Sequence, residues 1–408
     1  MELSLCRPVT SRISCGSIAA GLGVLTCASL LSYAQPLPGV VPAESMLISP
    51  KALAVNPVTH KMYAVDQTKD LVDVVDGSSA TVRVIKVGKS PNAIAIDSGT
   101  NKIFVLNTAS NTVSVIDGVR DMVVSTIAAG RIPYAIAIDT SLHKVFVANT
   151  YSNFITSFDE ASNQTTPLPL GSKDALLVDP DRHELFLLSY ESSTLQAFSV
   201  ETGNVRQIPA TMHLWALASD SRRELIYATE AQDKALLRID ERSGAEMTIA
   251  TGAMPCAAGV DERTGFVYVA NCVDNNVTVI DGASGKWVAT VQVGAGPQAI
   301  AVDSIRGLVA VANTHSNTVS FINEQTNSVV STVPGGRNPY ALAIDAENGN
   351  VYAANFGPRC FTKLDVRSLL RSNGVSPLPG ASSETNSPSS PRVVNLITTS
   401  TLSHRTST

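Results

Sequence analysis

The hydrophobic positions of the chain fall into short runs separated by Gly, Asn, Asp, Ser and Pro. One stretch shows the pattern, with the successive runs PNAIAID (91–97), KIFVLN (102–107), TVSVIDG (112–118) and VVSTIAAG (123–130). Runs of this length that are rich in Val, Ile and Phe and bounded by turn residues predict β-strands. The first two runs are almost continuously apolar, which is typical of sheets covered on both faces. The pattern therefore predicts a unit of four antiparallel strands.

This four-strand unit recurs along the chain at a spacing of 40 to 42 residues. An Asp or Asn closes the first strand of each unit, and we call these residues the anchors: Asn56, Asp97, Asp139, Asp179, Asp220, Asp261, Asp303 and Asp345. Four strands in roughly 40–45 residues is the period of a propeller blade. The sequence predicts an all-β fold, a single β-propeller over residues 50–366 with eight blades. Seven blades is the alternative, if a terminal unit does not join the ring.

The repeats carry recognisable motifs. VFVANT (145–150), VYVANC (267–272) and VAVANT (309–314) share a second-strand motif, and NTVSVIDG (111–118) and NNVTVIDG (275–282) share a third-strand motif. In these motifs the units resemble the YVTN family of β-propeller repeats, which includes YncE-like and surface-layer-like proteins. The fourth and fifth units keep the spacing but lose the motif residues. NHL-repeat proteins and the propeller lactonases and lyases share the implied architecture.

Closure of the ring requires one more strand than the units contain. Only seven fourth strands lie between the eight units, and a closed ring needs every sheet edge covered. RVVNLITT (392–399) resembles a fourth strand and is the preferred candidate, whereas VVPAESMLIS (40–49), within the lead-in 35–49, is the alternative. Residues 367–391, rich in Ser, Pro, Asn and Gly, predict a flexible linker, and residues 400–408 a disordered tail.

The N-terminal segment resembles a secretory signal peptide. Arg7 and Arg12 precede the apolar stretch ISCGSIAAGLGVLTCASLL, and Ser32-Tyr33-Ala34 offers a small-residue cleavage site before Gln35. We expect residues 1–34 to be removed and the mature protein to be secreted or periplasmic, with no membrane span. A membrane anchor is the alternative interpretation, because the apolar run is just long enough to cross a bilayer.

Charge and motif content exclude several functional classes. The formal net charge is −5 and no basic block stands out, so the electrostatic pattern of a nucleic-acid-binding protein is missing. CxxCH, HExxH, GxSxG and P-loop motifs are absent from the sequence. Because His60, His143 and His183 fall in turns of different units, we do not expect them to share a metal ion. No cofactor is predicted, and a divalent cation has no support from the sequence.

One position in each unit is a candidate for ligand binding. The residue five before each anchor lies innermost at one opening of the predicted ring, and it varies while its neighbours in the repeat are nearly constant. Aromatic and polar side chains together in a concavity suit a small polar or glycan-like ligand, or a protein partner. The alternative is a solvent-facing funnel that tolerates any residue. The candidates are Lys51, Asn92, Tyr134, Asp174, Trp215, Gln298 and Tyr340, with Cys256 at the same position of the sixth unit.

The two divergent units supply weak catalytic candidates. Asp174, Glu230 and His213 lie near one sector of the same opening, where carboxylates beside an imidazole could perform acid–base chemistry or hold a cation. The alternative is drift, with carboxylates that simply face water.

Two cysteines are candidates for a disulfide. Cys256 and Cys272 flank one hairpin in positions that antiparallel pairing could bring together, and Cys360 is left over. In an oxidising compartment a bridge would close a loop of about 15 residues, worth on the order of 3 kcal/mol.

Three functional hypotheses remain open at this point. The preferred hypothesis is a monomeric, non-catalytic propeller that presents a rigid face for recognition. The alternative is a lactonase-like or lyase-like enzyme with its site at the central opening, and the third is a structural protein of the cell surface. Fold alone does not decide among them.

Overall fold

The computed structural model describes residues 40–42, 50–77, 82–189, 194–208, 214–355 and 360–372. The predicted signal peptide 1–34, the rest of the lead-in, residues 373–391, the candidate strand 392–399 and the tail 400–408 lie outside the described residues. The described chain forms eight four-stranded antiparallel sheets. The prediction of an all-β propeller with eight blades is therefore confirmed.

Blades 1 to 4 follow one another in sequence, and each runs from an inner first strand to an outer fourth strand. Blade 1 comprises β2 (Pro50–Val55), β3 (Lys61–Asp66), β4 (Leu71–Asp76) and β5 (Val82–Lys86); blade 2 comprises β6 (Pro91–Asp97), β7 (Lys102–Asn107), β8 (Thr112–Asp117) and β9 (Met122–Ala128); blade 3 comprises β10 (Pro133–Asp139), β11 (Lys144–Asn149), β12 (Ile155–Asp159) and β13 (Thr165–Leu168); blade 4 comprises β14 (Ala175–Asp179), β15 (Glu184–Ser189), β16 (Thr194–Ser199) and β17 (Val205–Ile208).

Blades 5 to 8 continue the same order, and the last one also includes the strand β1. Blade 5 comprises β18 (Leu214–Asp220), β19 (Leu225–Glu230), β20 (Ala235–Asp240) and β21 (Glu246–Ala250); blade 6 comprises β22 (Pro255–Asp261), β23 (Phe266–Asn271), β24 (Asn276–Asp281) and β25 (Lys286–Gln292); blade 7 comprises β26 (Pro297–Asp303), β27 (Leu308–Asn313), β28 (Thr318–Asn323) and β29 (Ser328–Pro334); blade 8 comprises β30 (Pro339–Asp345), β31 (Asn350–Asn355), β32 (Cys360–Asp365) and β1 (Val40–Pro42).

The ring closes through its innermost strands. Each first strand contacts the first strands of the two neighbouring blades, and β30 of blade 8 contacts β2 of blade 1. The core is divided accordingly into eight apolar clusters, each formed between two adjacent sheets. Burial of both faces of each sheet is the physical reason for the nearly continuous apolar runs in the sequence.

The N-terminal segment supplies the missing fourth strand. β1 pairs antiparallel with β32, with Val40 opposite Leu364 and Pro42 opposite Thr362. This corrects the preference for residues 392–399 and supports the alternative within residues 40–49. Pairing of the N-terminal strand with the last blade covers an edge that would otherwise be open.

One short helix follows the last blade. α1 (Val366–Ser372) buries Val366, Leu369 and Leu370 in the apolar cluster between blades 7 and 8. The predicted linker 367–391 is therefore wrong over its first residues, because three apolar side chains at helical spacing find a buried surface there.

The ring has two faces. We call the end where first strands begin and second strands end the mouth face, and the end where the anchors lie the anchor face. The loops between second and third strands and between successive blades lie at the mouth face, whereas the two other hairpin turns of each blade lie at the anchor face.

A buried tyrosine in one blade leaves no room for a side chain at a glycine in the adjacent blade. The ring of Tyr227 in β19 is fully buried, and its hydroxyl occupies the space that a Cβ would need at Gly282 of blade 6. Tyr352 of blade 8 lies against Gly77 of blade 1 in the same way, with its hydroxyl 3.0 Å from a Cβ placed there. The recurrent Asp-Gly after the third strand therefore reflects packing between blades.

Candidate functional site

A β-bulge places the candidate ligand-binding residues outside the strand ladder. In blade 3 Pro133 pairs with Asn149 and Ala135 with Ala148, so that Tyr134 is the extra residue. The same shift occurs at Asn92, Cys256, Gln298 and Tyr340. Blades 1 and 5 have it at Lys51–Ala52 and Trp215–Ala216. A β-bulge changes the direction in which a side chain points. Here a bulge lies at the start of the first strand in seven of the eight blades.

The structure places the sequence-predicted mouth residues at different depths. Tyr340 and Cys256 are buried, at 4% and 7% exposure. The partly exposed members of the set are Asn92, Tyr134, Asp174, Trp215 and Gln298. Lys51 lies in β2, and its side chain is outside the described part of the structure. The bulged positions thus combine partly exposed polar and aromatic side chains at a single face.

The recurrent Asn at the end of the second strand is structural. Asn107, which is fully buried, donates from Nδ2 to Ser114 Oγ at 2.9 Å. Its amide also lies against Gly88, where a Cβ would approach to 2.6 Å. Blade 4 has Leu170 and Ser189 at the two corresponding positions, so a larger loop residue accompanies a smaller strand residue. Blade 4 therefore lacks the motif Asn because the residues at two positions that lie against each other in blade 2 have changed together.

Blade 4 also places a buried lysine at the mouth face, which the sequence analysis missed. Lys173 is only 5% exposed, and burial lowers the pKa of its ammonium, although the neighbouring Asp174 opposes this shift. Among the described residues its ammonium has no hydrogen-bond or ion-pair partner. A sequence signal was present, because six units have Pro at this position, and Lys173 and Leu214 replace it in blades 4 and 5.

Tyr134 and Asp174 are brought together from adjacent blades. Burial raises the pKa of the Tyr134 hydroxyl, and the carboxylate of Asp174 raises it further. Trp215 occupies the equivalent position of the next blade. The sector of blades 3 to 5 thus carries two aromatic rings, one carboxylate and the buried ammonium of Lys173 at one face.

The proposed catalytic trio is only partly described. Glu230 ends β19 opposite Leu214 and is 2% exposed. Asp174 is half-buried beside β14 and donates its backbone amide to the Leu188 carbonyl at 2.9 Å. His213 lies outside the described residues. A catalytic triad of these three residues therefore remains a prediction.

A disulfide occupies the mouth position of blade 6. Cys256 and Cys272 are bonded, with their Cα atoms 6.1 Å apart. Cys256 is the bulged residue of β22, and Cys272 follows β23. The covalent bond therefore removes this blade's variable position from the surface available to a ligand.

The anchor face is held by buried carboxylates that bridge blades. Each anchor is at most 1% exposed, and its side-chain oxygen accepts hydrogen bonds from amides two or three residues later. The three turn histidines lie at this face and bond to different anchors. The Nδ1 distances are 3.0 Å from His60 to Asp345, 2.8 Å from His143 to Asp97 and 2.8 Å from His183 to Asp139.

Three blade junctions add a buried glutamate beside an anchor. Glu160, Glu241 and Glu324 follow the third strands of blades 3, 5 and 7 and are 3–4% exposed. Burial, followed by smaller contributions that include the neighbouring anchor's negative charge, raises the pKa of Glu160 to about 7, of Glu241 to about 9 and of Glu324 to about 8. In the first of these junctions Asp97, His143 and Glu160 each offer a ligand atom, all within 4.8 Å of one another.

Elements able to cross a membrane were sought in the described part of the chain. No helix there has the length and apolar character that crossing a bilayer requires.

Solved structures share the architecture at low sequence identity. Hydrazine synthase from Kuenenia stuttgartiensis superposes with a TM-score of 0.55 at 17% identity, covering 79% of this chain and 97% of that chain. Dihydro-heme d1 dehydrogenase NirN, in complex with DHE, gives a TM-score of 0.64 at 13% identity, covering 77% of each chain. No curated protein matches the chain. These similarities show the fold alone, and both neighbours are enzymes by name.

A family model of YncE-like β-propellers matches residues 91–375. The match includes seven of the eight blades, and it agrees with the second-strand and third-strand motifs from which the resemblance was inferred. The chain belongs to the YncE-like β-propeller family.

Proposed function

We propose that this protein is an exported β-propeller that recognises a small polar, glycan-like ligand at its mouth face without catalysing a reaction. The observation that carries the proposal is the bulge at the start of the first strand in seven blades, which takes one variable residue per blade out of the ladder. Binding residues are commonly held by a rigid scaffold in this manner.

The chemistry of blades 3 to 5 indicates the kind of ligand. The rings of Tyr134 and Trp215 can stack against the apolar face of a sugar, and Asp174 can accept hydrogen bonds from its hydroxyl groups. Burial of the Lys173 ammonium lowers its pKa and makes its charge costly, and a negatively charged group nearby offsets that cost. Lys173 therefore favours an acidic sugar over a neutral one. A ligand that combines hydroxyl groups with a carboxylate fits this sector best.

A ligand screen with matched variants tests the proposal. We expect uronic-acid-containing oligosaccharides to raise the melting temperature more than their neutral counterparts. Trp215→Ala and Tyr134→Ala should each weaken binding by roughly tenfold or more, as loss of an aromatic anchor does. Trp287→Ala is the control, because Trp287 lies on the outer strand β25 and is 66% exposed. Unchanged affinity in both mouth variants would refute the proposal, and turnover of a bound ligand would favour the enzyme hypothesis.

Export forms a separate part of the proposal. The signal-like segment supports it, and the Cys256–Cys272 bond is typical of an oxidising compartment. N-terminal sequencing of the protein recovered from the periplasm or medium should begin at Gln35. Recovery of the intact N-terminus in the membrane fraction would instead support an anchor.

A further inference from the structure

We propose that Asp97, His143 and Glu160 form a binding site for a divalent transition-metal ion, with Zn²⁺ as its best probe, at the junction of blades 2 and 3. The site lies at the anchor face, at the opposite end of the ring from the mouth, and it does not depend on the proposed recognition function.

The three ligand atoms come from different parts of two blades. Asp97 ends the first strand of blade 2, His143 lies in the first turn of blade 3, and Glu160 follows the third strand of blade 3. Their ligand atoms lie within 4.8 Å of one another, and His143 Nδ1 is already 2.8 Å from Asp97 Oδ2. One imidazole and two carboxylates are a donor set that suits Zn²⁺ and related ions.

The existing contacts of Glu160 leave one oxygen for a cation. Oε2 accepts a hydrogen bond from Thr100 Oγ1 at 2.7 Å, whereas no donor in the described part of the chain reaches the buried Oε1; the carboxyl groups of Glu160 and Asp97 lie next to each other. The Lys102 ammonium is 4.0 Å from Oε2, but it donates at 2.5 Å to the main-chain carbonyl of Glu160. Lys102 therefore offsets part of the negative charge of the site, and its hydrogen bond goes to the main chain of Glu160 rather than to the carboxylate.

At the other two junctions with a buried glutamate, an arginine side chain lies beside the glutamate. Arg263 Nη2 lies 3.1 Å from Glu324 and 3.2 Å from Asp261, and Arg182 Nε lies 3.7 Å from Glu241. At both junctions a guanidinium lies within ion-pair distance of the buried glutamate. No arginine occurs among the contacts described for Glu160. Thr100 stands at the position of Arg182, three residues after the anchor, and the imidazole of His143 comes from the blade that carries the glutamate.

The histidine is accessible and held in an unusual conformation. Its side chain is 49% exposed, which leaves a path for an ion and for a water ligand. The residue adopts φ of 51°, a left-handed conformation that Gly265, Gly307 and Gly349 supply at the same position of later blades. Such a conformation costs energy for a residue other than glycine, and the bond to Asp97 offsets that cost.

Metal binding by matched variants tests the site. Tag-free protein is stripped with EDTA and titrated with Zn²⁺ by calorimetry, with the bound metal counted by elemental analysis. We expect one tight site per chain. His143→Asn and Glu160→Gln should each weaken binding by at least about tenfold. The conformation tolerates Asn, since Asn101 adopts it in blade 2 with φ of 52°.

His183→Asn and Glu324→Gln are the controls. His183 binds Asp139 at the same 2.8 Å, but Val200 stands where blade 3 has Glu160, and Glu324 keeps its arginine. Both controls should bind Zn²⁺ as the wild type does. The melting temperature of each metal-free variant shows whether it folds. A wild type that binds no Zn²⁺, which would indicate a proton shared between Asp97 and Glu160 instead, overturns the proposal. Equal weakening in His143→Asn and His183→Asn also overturns it.

Discussion

The mouth face and the anchor face of the ring use their side chains in opposite ways. At the anchor face the repeated residue is a buried Asp or Asn that bonds to its own turn, and in several blades also to the next blade. At the mouth face one position per blade varies, outside the ladder in seven blades, and its residue changes from Asn92 to Tyr134 to Asp174 around the ring. Repetition therefore marks the positions that packing determines, and variation marks the positions that packing leaves free.

The largest effect that this comparison predicts is the loss of an anchor. Asp139 accepts from His183 Nδ1 at 2.8 Å, from Ser141 Oγ at 2.6 Å and from the Leu142 amide at 3.0 Å. Asp139→Ala removes a fully buried carboxylate that accepts three hydrogen bonds, and it should lower the free energy of unfolding by about 3–5 kcal/mol. Urea denaturation measures the change. Gln298→Ala at the mouth, the matched control, should change stability by about 0.5 kcal/mol or less; equal losses in the two variants would remove the distinction between the faces.

Blade 6 is an exception at the mouth, because its variable position is used for a covalent bond. Replacing both Cys256 and Cys272 by Ser should cost about 3 kcal/mol, the entropy of the loop that the bond closes. Denaturation with and without reductant provides the measurement. Wild-type stability that does not respond to reductant would contradict a stabilising role for this bond.

Packing between blades predicts a smaller loss of stability when Gly282 is replaced by Ala. A methyl group there meets the hydroxyl of Tyr227 and comes within 2.7 Å of the Gly265 carbonyl oxygen. Gly282→Ala should therefore destabilise the ring by about 1–3 kcal/mol. Tyr227→Phe in the same chain should recover part of that loss, because the hydroxyl is one of the two obstacles. Additive effects of the two substitutions, measured by denaturation, would rule out this contact as the cause.

At pH 4.5 the smallest of these effects is predicted at Glu241, and it grows as the pH rises. Its pKa is raised from 4.5 to about 9, chiefly by burial and then by the charges of Asp179 and Glu184. The folded state therefore holds a proton that the unfolded state releases, and this group's contribution to stability falls as the pH rises from about 4.5 towards 9. Glu241→Gln should match the wild type near pH 4 and exceed it by a growing margin as the pH rises to 9.5. Parallel stability curves for the two proteins over this range would show that the carboxyl does not titrate as described.

The sequence predicted the features that repeat. The anchors and the alternation of apolar runs defined the blades, their number and the two faces. Isolated features escaped it for physical reasons: β1 is only three residues long, too short for a periodic signal. Lys173 stands at a position that holds Pro in six of the eight units, and only a comparison of all eight units at that position exposes it.

Contacts between blades were also out of reach of the sequence. The turn histidines were expected to be far from one another, and they do lie at different junctions. Their actual partners are anchors about 45 residues before, or 285 residues after, in the chain. Glu160 approaches His143 only because the third strand of blade 3 ends beside the turn that carries this histidine. Such groupings depend on how neighbouring sheets stack, and no local pattern encodes that.

The central claim is that ligand recognition belongs to the mouth face, and the two tryptophans of the chain allow a direct test. Trp215 lies at the mouth, and Trp287 lies on the outer strand β25. In Trp287→Phe protein the fluorescence of Trp215 alone reports on the mouth, and in Trp215→Phe protein only Trp287 remains. Titration with the sugar that gives the largest thermal shift should change the emission of the first protein in a saturable manner and leave that of the second unchanged. A response confined to Trp287, or a thermal shift without any change at Trp215, would contradict the account.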